Sequence, residues 1–249
     1  MKALVFNKFG APEVLTSAEL AKPVPGPDEV LINMKAVGLN FADVYRRKGN
    51  YHLEGEPPYI LGYEGAGIAA EVGSGVQGIK AGDRVGFADV PHSNAEYTAA
   101  PAEKVIPLPD EISFETAASV LLQGLTAHYL TSDSYKIKEG DTALVHAAAG
   151  GVGQLLVQII RLLGGKVIAL VSTNEKASIA KSAGAELAFV YNDDWKQKVL
   201  EATDGNGADV VYESVGSTLM DSFDATRIGG TVVFYGMAGE ILFILTREC

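Results

Sequence analysis

Residues 144–160 read LVHAAAGGVGQLLVQII, a strand-like run that passes through a glycine-rich turn into an apolar, helix-like run. Backbone N–H groups and the positive end of a helix dipole at such a turn would face an incoming pyrophosphate. Gly150 lacks a side chain and so lets a phosphate approach, Gly151 and Val152 continue the turn, and Gly153 lets the helix that follows lie close to the sheet. Ala148 stands where the G-x-G-x-x-G pattern opens with glycine, and a small residue suffices there if the backbone angle suits a β-carbon. The strand–turn–helix setting points to dinucleotide binding; a bare tight turn is the alternative.

The end of the next strand decides which dinucleotide would fit. A site for NAD places Asp or Glu there, accepting from the ribose 2′-hydroxyl. Here VIALVSTNEK (167–176) ends in Ser172, Thr173 and Asn174, and Glu175 is followed at once by Lys176. Small hydroxyls beside an ammonium suit a 2′-phosphate, and one charge-assisted contact contributes about 1.5–3 kcal/mol. NADPH is therefore expected in preference to NADH. The alternative is an ordinary helix start with a solvated lysine.

Composition narrows the remaining chemistry. With 249 residues, 47% of them hydrophobic and 20% charged, the chain suits one large or two modest soluble domains. Its net charge of −11 would repel nucleic acid and anionic membrane surfaces, so neither is an expected partner. One cysteine, Cys249, and four histidines without ligand spacing, His52, His92, His128 and His146, argue against a metal site. The opening MKALVFNKFG has too short an apolar run for a signal peptide, and no stretch approaches a membrane span. A cytoplasmic location is the expectation.

Two textures meet near residue 112. Before it, KALVF, EVLINMKAVG, GAGIAAEVG and DRVGFAD read as strands ended by turn formers, PVPGPDE and EGEPPY as loops, and FADVYRRKG as a short helix stopped by Gly49. After it, Ser113 is placed to cap a helix through FETAASVLLQGLTAHYLTSDSY. Strands and helices then alternate, ending with a helix over TLMDSFDATRIGG and a strand over TVVFYG. The strands are apolar at consecutive positions, as helices on both faces require, and five such repeats imply a doubly wound parallel sheet. The expected domains are 1–112, mostly β, and 113–249, α/β.

FGAPEVL (9–15), VGLNFADVYRRKGNY (37–51), LGYEGAG (61–67), EVGSGVQGIKAGDRV (71–85), HAAAGGVG (146–153) and VVYESVG (210–216) together resemble the zinc-independent quinone oxidoreductases. These form the zeta-crystallin-like branch of the medium-chain dehydrogenase/reductase superfamily. The resemblance runs from residue 1 to about residue 239. It implies an α/β protein with a GroES-like β domain and a Rossmann domain, an active site in the cleft between them, and hydride transfer from NADPH to a quinone or enone. Zinc relatives carry Gly-His-Glu where this chain has Gly62, Tyr63 and Glu64, and Tyr63 cannot replace an imidazole ligand.

By the same resemblance Asn40, Asp43, Tyr45 and Tyr51 surround the nicotinamide and substrate. Asn40, Thr126, Lys176, Tyr191, Ser214, Gly216, Phe234 and Gly236 line the cofactor. Asn40 suits a carboxamide or ribose, and tyrosine hydroxyls suit a quinone oxygen. Tyr45 and Tyr51 also read as half-buried helix-end aromatics, and Asp43 as an i+4 ion-pair partner of Arg47. His146, ending the first Rossmann strand, reads as structural.

Relatives in this family are longer. The resemblance implies that the C-terminal return segment is lacking, that residues 240–249 (EILFILTREC) are an atypical tail, and that the sheet edge through which relatives form homodimers is in doubt. Two other readings stay open: an alkenal or enoyl-thioester reductase on the same scaffold, and a catalytically impaired isoform acting as an NADPH-binding or structural protein.

Overall fold

The computed structural model describes residues 1–192 and 194–239, and the expected atypical tail, 240–249, lies outside them. The chain divides into two compact units, Met1–Leu122 and Gln123 onward, so the division falls later than the change of texture near residue 112.

The first unit is built on antiparallel strands. In chain order these are β1 (Lys2–Phe6), β2 (Thr16–Glu19), β3 (Glu29–Val37), helix α1 (Phe41–Lys48), β4 (Tyr59–Ile60), β5 (Glu64–Val72), β6 (Arg84–Ala88), β7 (Tyr97–Pro101) and β8 (Val105–Pro107). Strands β7-β3-β5-β6-β8 form one sheet and β2-β1-β4 a smaller one. Val30, Ile32, Ala69, Val85, Phe87 and Ala100, all buried, fill the interior of the larger sheet. Helix α1 ends at Gly49, whose φ of 81° supplies the left-handed cap that a β-carbon would disfavour. Helix α2 (Phe114–Tyr129) begins where Ser113 Oγ accepts the Thr116 N–H at 3.1 Å and finishes in a π-helical turn, Leu130–Ser134.

The second unit alternates as its sequence requires: β9 (Thr142–Val145), α3 (Gly151–Leu162), β10 (Lys166–Val171), α4 (Asn174–Ala183), β11 (Leu187–Val190), α5 (Trp195–Ala202), β12 (Ala208–Glu213), α6 (Leu219–Asp224) and β13 (Thr226–Phe234). All strands pair in parallel in the order β11-β10-β9-β12-β13. Alternate residues explain the continuous apolar runs. Val145, Val167 and Ala169 pack with Leu156, Val157 and Ile160 of α3, while Leu144, Ile168, Leu170 and Val211 pack with Trp195 and Val199 of α5. The inner strands β9, β10 and β12 therefore have no solvent face, and their C-terminal ends are left as the accessible rim, where open α/β sheets bind ligands.

The last segment differs from its sequence reading. Helix α6 stops at Asp224, and the strand begins at Thr226 instead of Thr231. Thr226 pairs with Ala208, the register shifts before Val210 pairs with Thr231, and Gly229, at φ 75°, lies in the irregular stretch. Arg227 Nε donates to Asp209 Oδ1 at 2.6 Å across that irregularity. The β-branched Thr226 and Ile228 favour strand here, outweighing the helical spacing. Among the described residues no helix is long and apolar enough to cross a membrane.

Candidate functional site

In the second unit the glycine-rich turn joins β9 to α3. Ala147 is left-handed, with φ 48°, whereas Ala148 is not among the residues with positive φ. The β-carbon at the pattern's first position is thus accommodated because the strained angle falls one residue earlier. Ala148 is buried, and its N–H donates to Leu170 O of β10 at 3.1 Å. Gly150 caps α3, so the amides of Gly151, Val152 and Gly153 belong to its first turn, where N–H groups lack intrahelical acceptors. A β-carbon on Gly153 would meet Ala147 O at 2.4 Å and Ala148 Cα at 2.7 Å. On Gly150 it would meet only Ala147 O, at 3.1 Å. Close packing therefore demands glycine at 153, while the space above Gly150 stays open for a ligand. A β-carbon on Gly151 would strike the side chain of Gln123.

At the tip of β10 the structure brings Ser172, Thr173 and Lys176 together. Thr173 Oγ1 caps α4 by accepting the Lys176 N–H at 3.2 Å, and Lys176 Nζ donates to Ser172 Oγ at 2.9 Å. An ammonium, a hydroxyl and a helix N-terminus converge on exposed surface with no carboxylate among them. That donor set fits a phosphate.

Behind the phosphate turn lies a buried polar cluster. His146 and Glu213 are fully buried at the ends of β9 and β12. Glu213 Oε1 accepts the Val215 and Gly216 N–H groups at 2.7 and 3.0 Å, and Oε2 accepts Ser222 Oγ at 2.6 Å and Thr218 Oγ1 at 2.8 Å. His146 Nε2 lies 3.0 Å from Ser222 Oγ and Nδ1 lies 2.9 Å from the Tyr191 hydroxyl. Burial pushes His146 below its ordinary 6.5, against the pull of Glu213. Gly216 is left-handed at φ 92°, Gly236 sits close against Ser214, and Ser214 O accepts the Ala238 N–H at 3.0 Å. Phe234 ends β13 half-exposed, and Thr126 is half-buried on α2.

The first unit gathers the other candidates around α1. Asn40 precedes the helix, its N–H donating to Asp43 Oδ2 at 3.0 Å and its Nδ2 to Glu64 Oε2 at 2.8 Å. Glu64, fully buried, also accepts the Leu122 N–H at 2.7 Å. Burial pushes the Asp43 and Glu64 carboxyls upward, opposed in both by Asn40. Asp43 pairs with Arg46 at 4.0 Å, three residues on, rather than with Arg47 as the sequence spacing had indicated. Arg46 is engaged between two tyrosines. Its guanidinium lies 3.3 Å from the Tyr63 ring centroid and 4.9 Å from that of Tyr51, and Nε donates to His52 O at 3.1 Å. Tyr51 is exposed on its outer side, and Tyr45 packs its ring against Phe41. Sequence reasoning missed Arg46, Glu64 and Glu213; for the two glutamates the available signal was a charge inside a glycine-rich or apolar run, and for Arg46 there was none.

The donors here do not fit zinc. The Tyr63 hydroxyl donates to Glu54, its ring is covered by the Arg46 cation, and the described residues contain no group of three His, Cys, Asp or Glu side chains able to hold a metal.

Comparison with known proteins agrees with this geometry. Residues 26–137 match the family "Alcohol dehydrogenase GroES-like domain" and residues 151–247 match "Zinc-binding dehydrogenase". A quinone oxidoreductase of Pseudomonas aeruginosa is 43% identical over 95% of this chain and 74% of its own length. A 2-haloacrylate reductase from a Burkholderia species is 39% identical over 96% of this chain and 74% of its own. The crystal structure of Escherichia coli quinone oxidoreductase complexed with NADPH superposes with a TM-score of 0.94, at 40% identity, over 98% of this chain and 76% of that one. With a GroES-like unit, a Rossmann-like parallel sheet and tyrosine where zinc relatives have histidine, the chain belongs to the zinc-independent quinone oxidoreductases of the medium-chain dehydrogenase/reductase superfamily.

Proposed function

We propose that this oxidoreductase transfers hydride from NADPH to a quinone or another electron-poor conjugated acceptor. The observation that carries the reading is the Lys176–Ser172 pair at 2.9 Å beside a glycine-rich turn, a 2′-phosphate seat and a pyrophosphate seat on neighbouring strand ends. NADPH, when bound, supplies the hydride. The amides of Gly151, Val152 and Gly153 hold the pyrophosphate, with Ala148 and Gly150 shaping the turn beneath it; Ser172, Thr173 and Lys176 hold the 2′-phosphate. Thr126, Ser214, Gly216, Phe234 and Gly236 line the remainder.

In the first unit, Asn40 is oriented by two buried carboxyls, and Tyr51 and Tyr45 offer rings and hydroxyls to a flat acceptor. Asp43 fixes the helix start rather than moving a proton. No metal polarises the acceptor, so the acceptor must already be electron-poor, and its reduced oxygens take protons from water.

The alternative acceptor is an activated alkene, favoured by the likeness to the 2-haloacrylate reductase. Absorbance-monitored NADPH oxidation against para-quinones, enals and 2-haloacrylate separates the two. Turnover confined to quinones supports the first reading, turnover confined to alkenes the second, and binding of NADPH without turnover of either would leave only a nucleotide-binding protein.

A further inference from the structure

The cluster behind the phosphate turn has a direction. Ser222 Oγ donates to Glu213 Oε2 at 2.6 Å, a charge-assisted bond that uses its single proton. It can therefore only accept from His146 Nε2, 3.0 Å away, so that nitrogen carries hydrogen. A neutral imidazole then leaves Nδ1 as an acceptor. Thr218 Oγ1, at 3.4 Å from Nδ1, spends its proton on Glu213 Oε2 at 2.8 Å, which leaves the Tyr191 hydroxyl, at 2.9 Å, to donate to Nδ1. The Tyr191 oxygen accepts in turn from the Ala147 N–H, a long contact at 3.4 Å. The chain of donors thus runs from Ala147 through Tyr191, His146 and Ser222 to Glu213. It starts on the one left-handed residue of the phosphate turn, where strain needs an external hold, and ends on the carboxylate that ties down Val215 and Gly216.

We propose that His146 and Tyr191 are positioning residues for the dinucleotide pyrophosphate: neutral His146 orients the Tyr191 hydroxyl, which holds Ala147 and with it the amides that open α3. This rests on the reading of that turn as the pyrophosphate seat. Tyr191, which the family resemblance places in the cofactor lining, thereby has a further part: its hydroxyl lies 2.9 Å from His146 Nδ1 and 3.4 Å from the Ala147 nitrogen.

Isothermal titration with NADPH and with NADH, on the full chain, tests it. Asparagine reproduces the Nδ1 acceptor of histidine and glutamine the Nε2 side. His146→Asn should bind both dinucleotides within about twofold of the parent, whereas His146→Gln and Tyr191→Phe should weaken both by about five- to tenfold, the worth of one hydrogen bond. The double variant His146→Gln/Tyr191→Phe should be no weaker than either single change, since the two act through one bond. Both dinucleotides should suffer equally because both carry the pyrophosphate. Parental affinity in Tyr191→Phe overturns the proposal, and so does equal damage from Asn and Gln at 146, which would mean packing alone. Loss of NADPH with NADH spared would place the Tyr191 hydroxyl on the 2′-phosphate instead. A parent chain that binds neither dinucleotide defeats the underlying reading of the turn, and the variants are not needed to see it.

Discussion

Lys176 reaches back over the first turn of α4 to place its Nζ 2.9 Å from Ser172 Oγ, so the ammonium is held at the strand tip instead of trailing in solvent. A pre-placed cation pays less ordering entropy when a phosphate arrives. Lys176→Ala is expected to raise the KM for NADPH by about tenfold to a hundredfold with little change for NADH, as the loss of one charge-assisted contact implies. Steady-state kinetics with both cofactors checks it, and comparable effects on the two would remove the 2′-phosphate from this position.

The turn glycines separate fold from function. In Gly153→Ala the new methyl must displace backbone at Ala147 and Ala148, which should destabilise the protein by about 1–3 kcal/mol and lower its Tm. Gly150→Ala meets only one carbonyl oxygen, at 3.1 Å, and should melt close to the parent while binding NADPH poorly. Thermal unfolding and nucleotide titration on the same two variants distinguish these outcomes; a stable Gly153→Ala chain would contradict the packing.

Acid should unfold this protein partly through the His146–Glu213 cluster. The ionisable groups facing His146 are Glu213 and Tyr191, and α5 and α6 add only the uncharged Trp195 and Ser222. Buried His146 stays neutral below its ordinary 6.5, so between 6.5 and its depressed value the unfolded chain binds a proton that the native state does not, and stability falls as pH falls through that window. Burial opposes the charge on Glu213, but hydrogen bonds from Ser222 and from the Gly216 and Val215 amides favour it and the carboxyl is held low; its contribution is present above the ordinary 4.5 and is lost as pH drops below it. Urea unfolding at about pH 7 and about pH 5 should show a smaller difference for His146→Asn than for the parent. An unchanged difference would argue against a neutral buried imidazole.

Arg46 should matter for acceptor rather than cofactor. Arg46→Met removes the guanidinium from between Tyr63 and Tyr51 and cuts the tie to His52 O. We expect a loss of about 1–2 kcal/mol in stability, the range for a desolvated cation–π contact, and a raised KM for the acceptor with NADPH binding unchanged. An acceptor KM equal to the parent's would separate Tyr51 from the substrate.

Legibility followed sequence distance. The glycine turn and the Ser172–Lys176 pair are written in contiguous residues, as are the buried strands, whose apolar runs announce helices on both faces. Glu64 was hidden because its partners, Asn40 and Leu122, lie far away in the chain, and Glu213 because Ser222, Thr218 and His146 gather around it only after β9 and β12 pair. The left-handed angle at Ala147 was unreadable for another reason: alanine carries no signature of positive φ, and the turn is held by Tyr191 from a different strand end. At Thr226 a helix-like spacing lost to strand pairing with Ala208, a tertiary contact that no local pattern contains.

The Arg46–Tyr63 stack has a further consequence. A guanidinium carried on the chain cannot be stripped by a chelator or starved by a poor zinc supply, and it cannot be swapped for copper or cadmium. The Tyr63 corner is therefore complete once Arg46 of α1 has stacked on that ring.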